Sequence, residues 1–195
     1  LLVKHGSQGG WDSFGLEKRI TKSSGNVLFE LEHQNALELY KKYLGDACDN
    51  LPGSALLFPL SLVIPGNEKP IVRTILSINE EDQSMTFAGD VPIGSKVIFM
   101  KANFEKLTEA ASLAAKQTAN DPSKKPSFAL LISCVGRKLI LESKIDEEVK
   151  AVSDTFDGNT LLGGFYSYGE ISPFNEGGNC QLHNQTMTIT SFYES

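Results

Sequence analysis

The sequence predicts an α/β fold with α+β character, in which helices flank a mixed sheet. Residues 128–133 (FALLIS) form a continuous apolar run, a pattern typical of a strand that is buried on both faces. Residues 138–156 then carry apolar side chains at helical spacing, and residues 161–168 return as a second strand. This order makes a β-α-β unit, whose two strands run parallel with a right-handed crossover.

The elements that precede this unit alternate between short strands and helices. A helix over residues 36–44 is predicted to begin after Asn35, a favoured N-cap residue, and to end at Gly45. A second amphipathic helix covers residues 104–119. The predicted strands are residues 26–31, an interrupted strand in 56–64, a hairpin of 71–78 with 85–88, and residues 96–100.

The C-terminal segment is predicted to form an antiparallel hairpin. Residues 161–168 are its first strand and residues 186–190 its second, joined by a Gly-rich loop over 169–179. In the second strand Met187 and Ile189 alternate with threonines, which is the period of a half-buried strand. Long loops on a rigid sheet often carry binding groups. We therefore expect the functional site near this loop.

The first fifteen residues are rich in Gly and polar residues, and the predicted domain follows this start of the chain. Residues 1–24 are predicted to be a linker or lead-in, because their first part is rich in Gly and polar residues. Residues 25–195 form the predicted domain. Since the chain opens on Leu and not on Met, we expect it to be a piece of a longer protein.

Composition limits the possible functions. The net charge of −6 argues against a nucleic-acid surface, which needs clustered Lys and Arg. No apolar run approaches the roughly 18 to 20 residues of a membrane span. Cys48, Cys134 and Cys180 are odd in number and form no metal-binding pattern, which favours a reduced, cytoplasmic environment.

Three distant segments are predicted to meet at one edge of the sheet. The carboxyl ends of the two parallel strands lie there, and the return strand begins there, which is where open α/β sheets bind ligands. The candidate ligand-binding residues are Cys134, Gly136, Arg137, Tyr166, Tyr168, Gly169, Glu170, His183, Asn184 and Gln185.

Among the charged candidates, Arg137 would open a helix, where a carboxylate is favoured by both the guanidinium and the backbone N–H groups. Its alternative role is a structural ion pair, with Glu170 as the expected partner. Glu170 would bind an ammonium group or remain a solvated loop carboxylate. Together, these two residues suit a small zwitterion such as an amino acid.

The remaining candidates also have two interpretations each. Cys134 and His183 could form a nucleophile pair, but a cysteine at a strand end is usually a small buried apolar residue. His183 as a metal or haem ligand lacks a second ligand at suitable spacing. Tyr166 and Tyr168 would wall a pocket or pack in the core, whereas Asn184 and Gln185 more often tie down loop backbone.

The segments GNVLFEL, FAGDVP, SCVGR, GGFYSYGEI and LHNQTMTIT resemble the C-terminal domain of the FIST family, the F-box and intracellular signal transduction proteins. The resemblance runs from about residue 25 to the end. It implies a cytoplasmic sensory module whose ligands are small molecules such as amino acids, with haem associated with some members. The N-terminal FIST half is missing, so residues 1–24 would lead in from it.

We therefore expect a cytoplasmic sensory domain that binds an amino-acid-like ligand in a signal-transduction protein. It would be no enzyme and would need no cofactor, with haem as the alternative. Its output would pass to a signalling protein such as a kinase or another output domain, without nucleic acid or membrane. The second hypothesis is a protein–protein interaction module, and the third is an enzyme that uses the thiol of Cys134.

Overall fold

The computed structural model describes residues 1–66, 69–119, 124–173 and 178–194. The chain divides into two compact units, one of residues 1–11 and 103–195 and the other of residues 12–102. The described strands are β1 (Leu2–Gln8), β2 (Trp11–Ser24), β3 (Val27–Leu31), β4 (Gln34–Asn35), β5 (Leu60–Val63), β6 (Ile71–Arg73), β7 (Ile75–Asn79), β8 (Ser84–Phe87), β9 (Lys96–Ala102), β10 (Phe128–Cys134), β11 (Leu161–Ser167), β12 (Glu170–Ser172), β13 (Gln181–His183) and β14 (Met187–Tyr193). The described α-helices are α1 (Ala36–Leu44), α2 (Phe104–Thr118), α3 (Val135–Leu141) and α4 (Ile145–Thr155).

The predicted mixture of strands and helices is confirmed. Loop residues 120–123 and 174–177 lie outside the described residues, so the predictions for them are not compared with the structure. Among the described helices, none combines the length and the apolar character that a membrane crossing requires.

The unit of residues 12–102 contains an eight-stranded sheet. Its strand order is β6-β5-β9-β2-β3-β8-β7, and β4 pairs with β3. The predicted hairpin of residues 71–78 with 85–88 is confirmed in part. Strand β7 pairs antiparallel with β8, whereas residues 71–73 form β6 and pair with β5. Helix α1 has the predicted bounds, although the side chain of Asn35 makes no capping hydrogen bond. Leu28, Tyr40 and Phe99 are buried in this unit, and the Tyr40 hydroxyl donates to the carbonyl of Phe58 at 2.8 Å.

The other unit is built on a four-stranded mixed sheet in the order β1-β14-β10-β11. The parallel pairing of β10 and β11 confirms the β-α-β prediction, and Cys134 lies beside Ser167 at the carboxyl ends of the pair. Strand β14 runs antiparallel to β1 and to β10. One face of this sheet packs against α2 and α4. The buried residues of that core are Ala111, Ala114, Ala115, Ala129, Leu131, Val152, Phe156, Met187 and Ile189.

The predicted C-terminal hairpin is wrong. Strands β11 and β14 are not neighbours, because β10 lies between them and pairs with both. The segment between them contains its own two-stranded sheet of β12 and β13. A connection of this length lets β14 pass β10 and pair with β1, whereas a short turn would have held it against β11.

The prediction that residues 1–24 are a linker or lead-in is also wrong. Strand β1 pairs with β14 over its whole length, from Leu2 opposite Tyr193 to Gln8 opposite Met187. Strand β2 occupies residues 11–24. The glycines that suggested a loop are needed for close packing: a Cβ on Gly6 would collide with the carbonyl of Ala114 in α2, and one on Gly10 with that of Lys106.

The helix predicted over residues 138–156 is two helices. Helix α3 begins earlier, at Val135, directly after β10, and α4 follows a short 3-10 turn over Glu142–Lys144. The chain turns where Glu142 adopts a φ of 50°, in the left-handed region. Because α3 begins at the end of β10, it holds Gly136 and Arg137 against the edge of the sheet.

Candidate functional site

The carboxyl ends of β10 and β11 bring the predicted segments together. The N–H of Cys134 donates to the carbonyl of Thr186 at 3.0 Å, which joins the end of β10 to the start of β14. The carboxylate of Glu170 reaches the same residue, accepting a hydrogen bond of 2.9 Å from the Thr186 hydroxyl. The β-α-β pattern predicted a cluster of residues 134–137, 168–170 and 183–185. The structure brings these three segments together, although the side chain of Tyr168 is exposed.

Arg137 is fully buried, and it is paired with Glu148 and not with the predicted Glu170. Its Nε donates to Glu148 Oε1 at 2.7 Å, and its Nη2 donates to the carbonyl of Leu107 at 2.8 Å. Its Nη1 donates to the carbonyl of Gly9. The guanidinium thus ties α3 to α4, to α2 and to the end of β1. This corrects the prediction of an accessible carboxylate clamp, because Arg137 has a structural role.

Glu148 is the buried acid of this network. The hydroxyl of Ser133 donates to its Oε1 at 3.1 Å and lies 3.3 Å from its Oε2. Sequence reasoning missed Glu148, although it left a signal. Glu148 lies four residues before Val152 and eight before Phe156, so it falls on the buried face of α4. A carboxylate on an apolar helix face needs a buried partner, and the conspicuous cation nearby in sequence is Arg137.

Glu170 is also buried, and it faces hydroxyl groups. Ser167 donates to its Oε1 at 2.6 Å, and the hydroxyl of Thr186 donates to its Oε2. Burial raises the pKa of this carboxyl, while the hydrogen bonds from Ser167 and Thr186 partly oppose the shift. The structure excludes the solvated loop carboxylate that was one of the two interpretations.

Cys134 lies at the end of β10, where its side chain is buried. Burial raises the pKa of its thiol, and the nearby carboxylate of Glu170 raises it further. Backbone N–H groups of Gln185 and Gly136 act in the opposite direction. These surroundings favour the thiol over the thiolate at neutral pH, and the thiolate is the reactive form.

Gly136 and Gln185 fit each other closely. A Cβ on Gly136 would collide with the side-chain amide of Gln185, which is fully buried and whose residue has a φ of 62°. The backbone carbonyl of Gln185 accepts a hydrogen bond of 3.1 Å from the indole of Trp11. The indole of Trp11 therefore fixes the turn before β14.

The remaining candidates hold loop backbone or face solvent. His183 donates from Nε2 to the carbonyl of Ser172 at 2.8 Å, and the amide of Asn184 donates to the carbonyl of His183 at 3.1 Å. A Cβ on Gly169 would lie 2.9 Å from a methyl carbon of Leu182. Tyr168 follows β11 and is 89% exposed, so it does not pack in the core, which was one of its two predicted roles.

A cavity of about 220 Å³ lies between α4 and the sheet, next to this cluster. Of the ten predicted residues, Tyr166 lines it, and the buried acid Glu148 lines it together with Ser133. The ammonium group of Lys138 lies 5.2 Å from the centre of the Tyr166 ring, a cation–π distance. The other lining residues are Leu131, Val149, Leu162, Gly163, Gly164, Phe165 and Met187.

The unit that carries the buried ion pair and the cavity is an α+β domain. Comparison with known families shows which family it belongs to. Residues 36–173 match the family model described as the FIST C domain, and the chain therefore belongs to the FIST C domain family. This confirms the predicted resemblance and places the chain among domains associated with signal transduction. No curated protein and no solved structure matches the chain.

Proposed function

We propose that this chain is a cytoplasmic sensory domain that binds an amino-acid-like ligand as part of a signal-transduction protein. The observation that carries the proposal is the cavity of about 220 Å³ between α4, β10 and β11. Sites for drug-sized molecules have volumes of roughly 300–1,000 Å³. A smaller cavity suits a ligand of amino-acid size.

The chemistry of the lining supports a ligand with an apolar body and a donor group. Leu131, Leu162 and Met187 offer apolar contact area. Glu148 provides the polar contact, since a carboxylate has about four acceptor positions. Arg137 Nε and the Ser133 hydroxyl each donate one hydrogen bond to it. A remaining acceptor position suits one N–H of an ammonium group.

The carboxylate of the ligand needs a cation other than Arg137, because the guanidinium of Arg137 is already paired with Glu148. Lys138 fits this role, because its ammonium group lies over the ring of Tyr166, and Tyr166 lines the cavity. Glu148 and Lys138 would then recognise the two charges of a zwitterion, in place of the predicted pair Glu170 and Arg137.

A thermal-shift screen of the twenty common amino acids tests this proposal. Val149 lines the cavity and is 43% exposed, so Val149→Trp fills the mouth of the cavity from a position that tolerates a larger side chain. Leu139→Trp is the matched control on α3, at an exposed position outside the cavity lining.

We expect one or a few amino acids to raise the Tm of the parent chain and of Leu139→Trp, and to leave Val149→Trp unchanged. A ligand at about one hundred times its Kd stabilises by roughly 2.7 kcal/mol, which such a screen detects readily. The proposal fails if no amino acid shifts the parent chain, or if Val149→Trp responds as the parent does.

A further inference from the structure

The four-stranded sheet has a second face, opposite the one that packs on α2 and α4. Because side chains alternate along a strand, residues out of phase with Ala129, Leu131, Met187 and Ile189 point to this face. The strand register arranges them in three rows across the sheet. The rows are Val3–Phe192–Phe128–Leu161, His5–Thr190–Leu130–Gly163 and Ser7–Thr188–Ile132–Phe165.

These three rows, which we call the second face, contain no Lys, Arg, Asp or Glu. The row from Val3 to Leu161 is apolar on all four strands. The rings of Phe128 and Phe192 lie 5.8 Å apart, and a Cβ on Gly163 would meet the ring of Phe128 at 3.2 Å, so this ring lies over the glycine. The face is therefore apolar around Phe128 and along β10 and β11, whereas the second and third rows are polar where they cross β1 and β14.

The apolar part of the second face is open to solvent. Val3 on β1 is 48% exposed, and on β11 Leu161 is 69% and Phe165 60% exposed. Phe128, Leu130, Ile132 and Phe192 are only half-buried. Ser7 and Thr188, in the third row, are already buried. A contiguous apolar patch of this kind marks an interaction surface.

We infer that the second face is the interface of a homodimer, in which the sheets of two copies of this chain pack face to face. The absence of acidic and basic side chains favours a second copy, because two such faces meet without burying an unpaired charge. A face that packs on itself forms an isologous interface with twofold symmetry, so the assembly closes at two copies. Sheets packed in this way lie about 10 Å apart with their strands at about 30°.

The area of the face sets the strength of the dimer. Strands about 4.8 Å apart and residues that rise about 3.3 Å make a face of roughly 15–20 Å on each side. Ser7 and Thr188 are already buried and add no area, so we expect less than roughly 600 Å² per copy, the size of a weak interface. We therefore expect a dimer whose Kd is on the order of micromolar.

Sedimentation velocity of the purified chain from about 1 to 100 μM tests the inference. The variant Leu161→Glu places a charge on the second face at a strongly exposed position, outside the cavity lining. Val3→Glu does so at the other end of the same row. Leu139→Glu is the matched control, an exposed leucine on α3 of the same unit.

We expect a concentration-dependent dimer for the parent chain and for Leu139→Glu. Leu161→Glu and Val3→Glu should each weaken it at least tenfold while keeping the parent Tm. Three results would overturn the inference: a monomeric parent at 100 μM, a mass that rises beyond two copies, or equal dimerisation of the second-face variants and Leu139→Glu. A monomeric parent would point to a different protein as the occupant of this face.

Discussion

At the scale of single residues, Arg137 and Glu148 show how burial decides a role. Both side chains have no exposed surface, and a buried guanidinium is tolerated only with a carboxylate and further acceptors around it. The carbonyls of Gly9 and Leu107 supply those acceptors. The pair therefore joins α3 to α4 beside the cavity, which Glu148 also lines.

Arg137→Met should destabilise the fold by about 3–5 kcal/mol, because it leaves the carboxylate of Glu148 buried without its cation. The double variant Arg137→Met/Glu148→Gln should recover part of this loss. Urea denaturation measures both. As a control, Lys150→Met breaks the exposed ion pair with Asp154 and should change stability by less than about 1 kcal/mol. Equal losses for the Arg137 and Lys150 variants would refute the structural role.

Glu170 leads to a prediction about pH. Its carboxyl has a pKa raised by burial, so between its ordinary unfolded pKa and the raised folded pKa the folded state binds more protons than the unfolded state. Stability should therefore fall as pH rises through that window. Glu170→Gln keeps the shape and stays neutral, so the decline should be smaller in this variant.

Urea denaturation of both proteins between about pH 4 and pH 8 gives the comparison. Glu147→Gln, which removes an exposed carboxylate on α4, is the control and should keep the slope of the parent chain. If the stability of Glu170→Gln declines with pH as steeply as that of the parent chain, Glu170 is not the group responsible for the decline.

At the scale of elements, local pattern predicted most strands and helices but not every pairing. The β-α-β unit followed from the apolar run of β10 and the helical spacing after it, and the structure confirms it. The pairing of β14 did not follow, because its alternation of Met187, Ile189 and threonines fixes which side faces the core and not which strand lies beside it. The pairing of β14 depends on β1, a segment whose glycines had suggested a loop.

The cluster at the sheet edge was predictable for a related reason. Parallel strands bring their carboxyl ends to one edge whatever lies between them, so Cys134, Glu170 and Gln185 converge by topology. Burial was not predictable, because it depends on side chains from α2 and α4. Burial determines that Arg137 pairs with Glu148. It also determines that Tyr166, of the predicted ligand-binding residues, lines the cavity.

At the scale of the whole molecule, residues 12–102 form a unit that is continuous in sequence, whereas the other unit is split around it. Gly10 precedes residues 12–102 and Lys106 follows them. These two points of the chain lie close together, since a Cβ on Gly10 would touch the backbone of Lys106. Insertions of this kind usually retain their own fold.

We therefore expect residues 12–102 expressed alone to unfold cooperatively, as followed by circular dichroism and by dispersed amide signals in NMR. The control is Phe99→Ala in this fragment, which removes a buried ring and should cost about 3–5 kcal/mol. A fragment without a cooperative transition would show that the unit depends on the rest of the chain.

The position of β14 in the sheet also determines the order in which the strands can pair during synthesis. It follows every other described strand in sequence, yet it occupies the space between β1 and β10. On the ribosome, residues 12–102 emerge with all the strands of their sheet, and β1 meanwhile remains without its partner. Leu2 meets Tyr193 only after all the residues between them have been made, so the pairing of β1 with β14 forms late during synthesis.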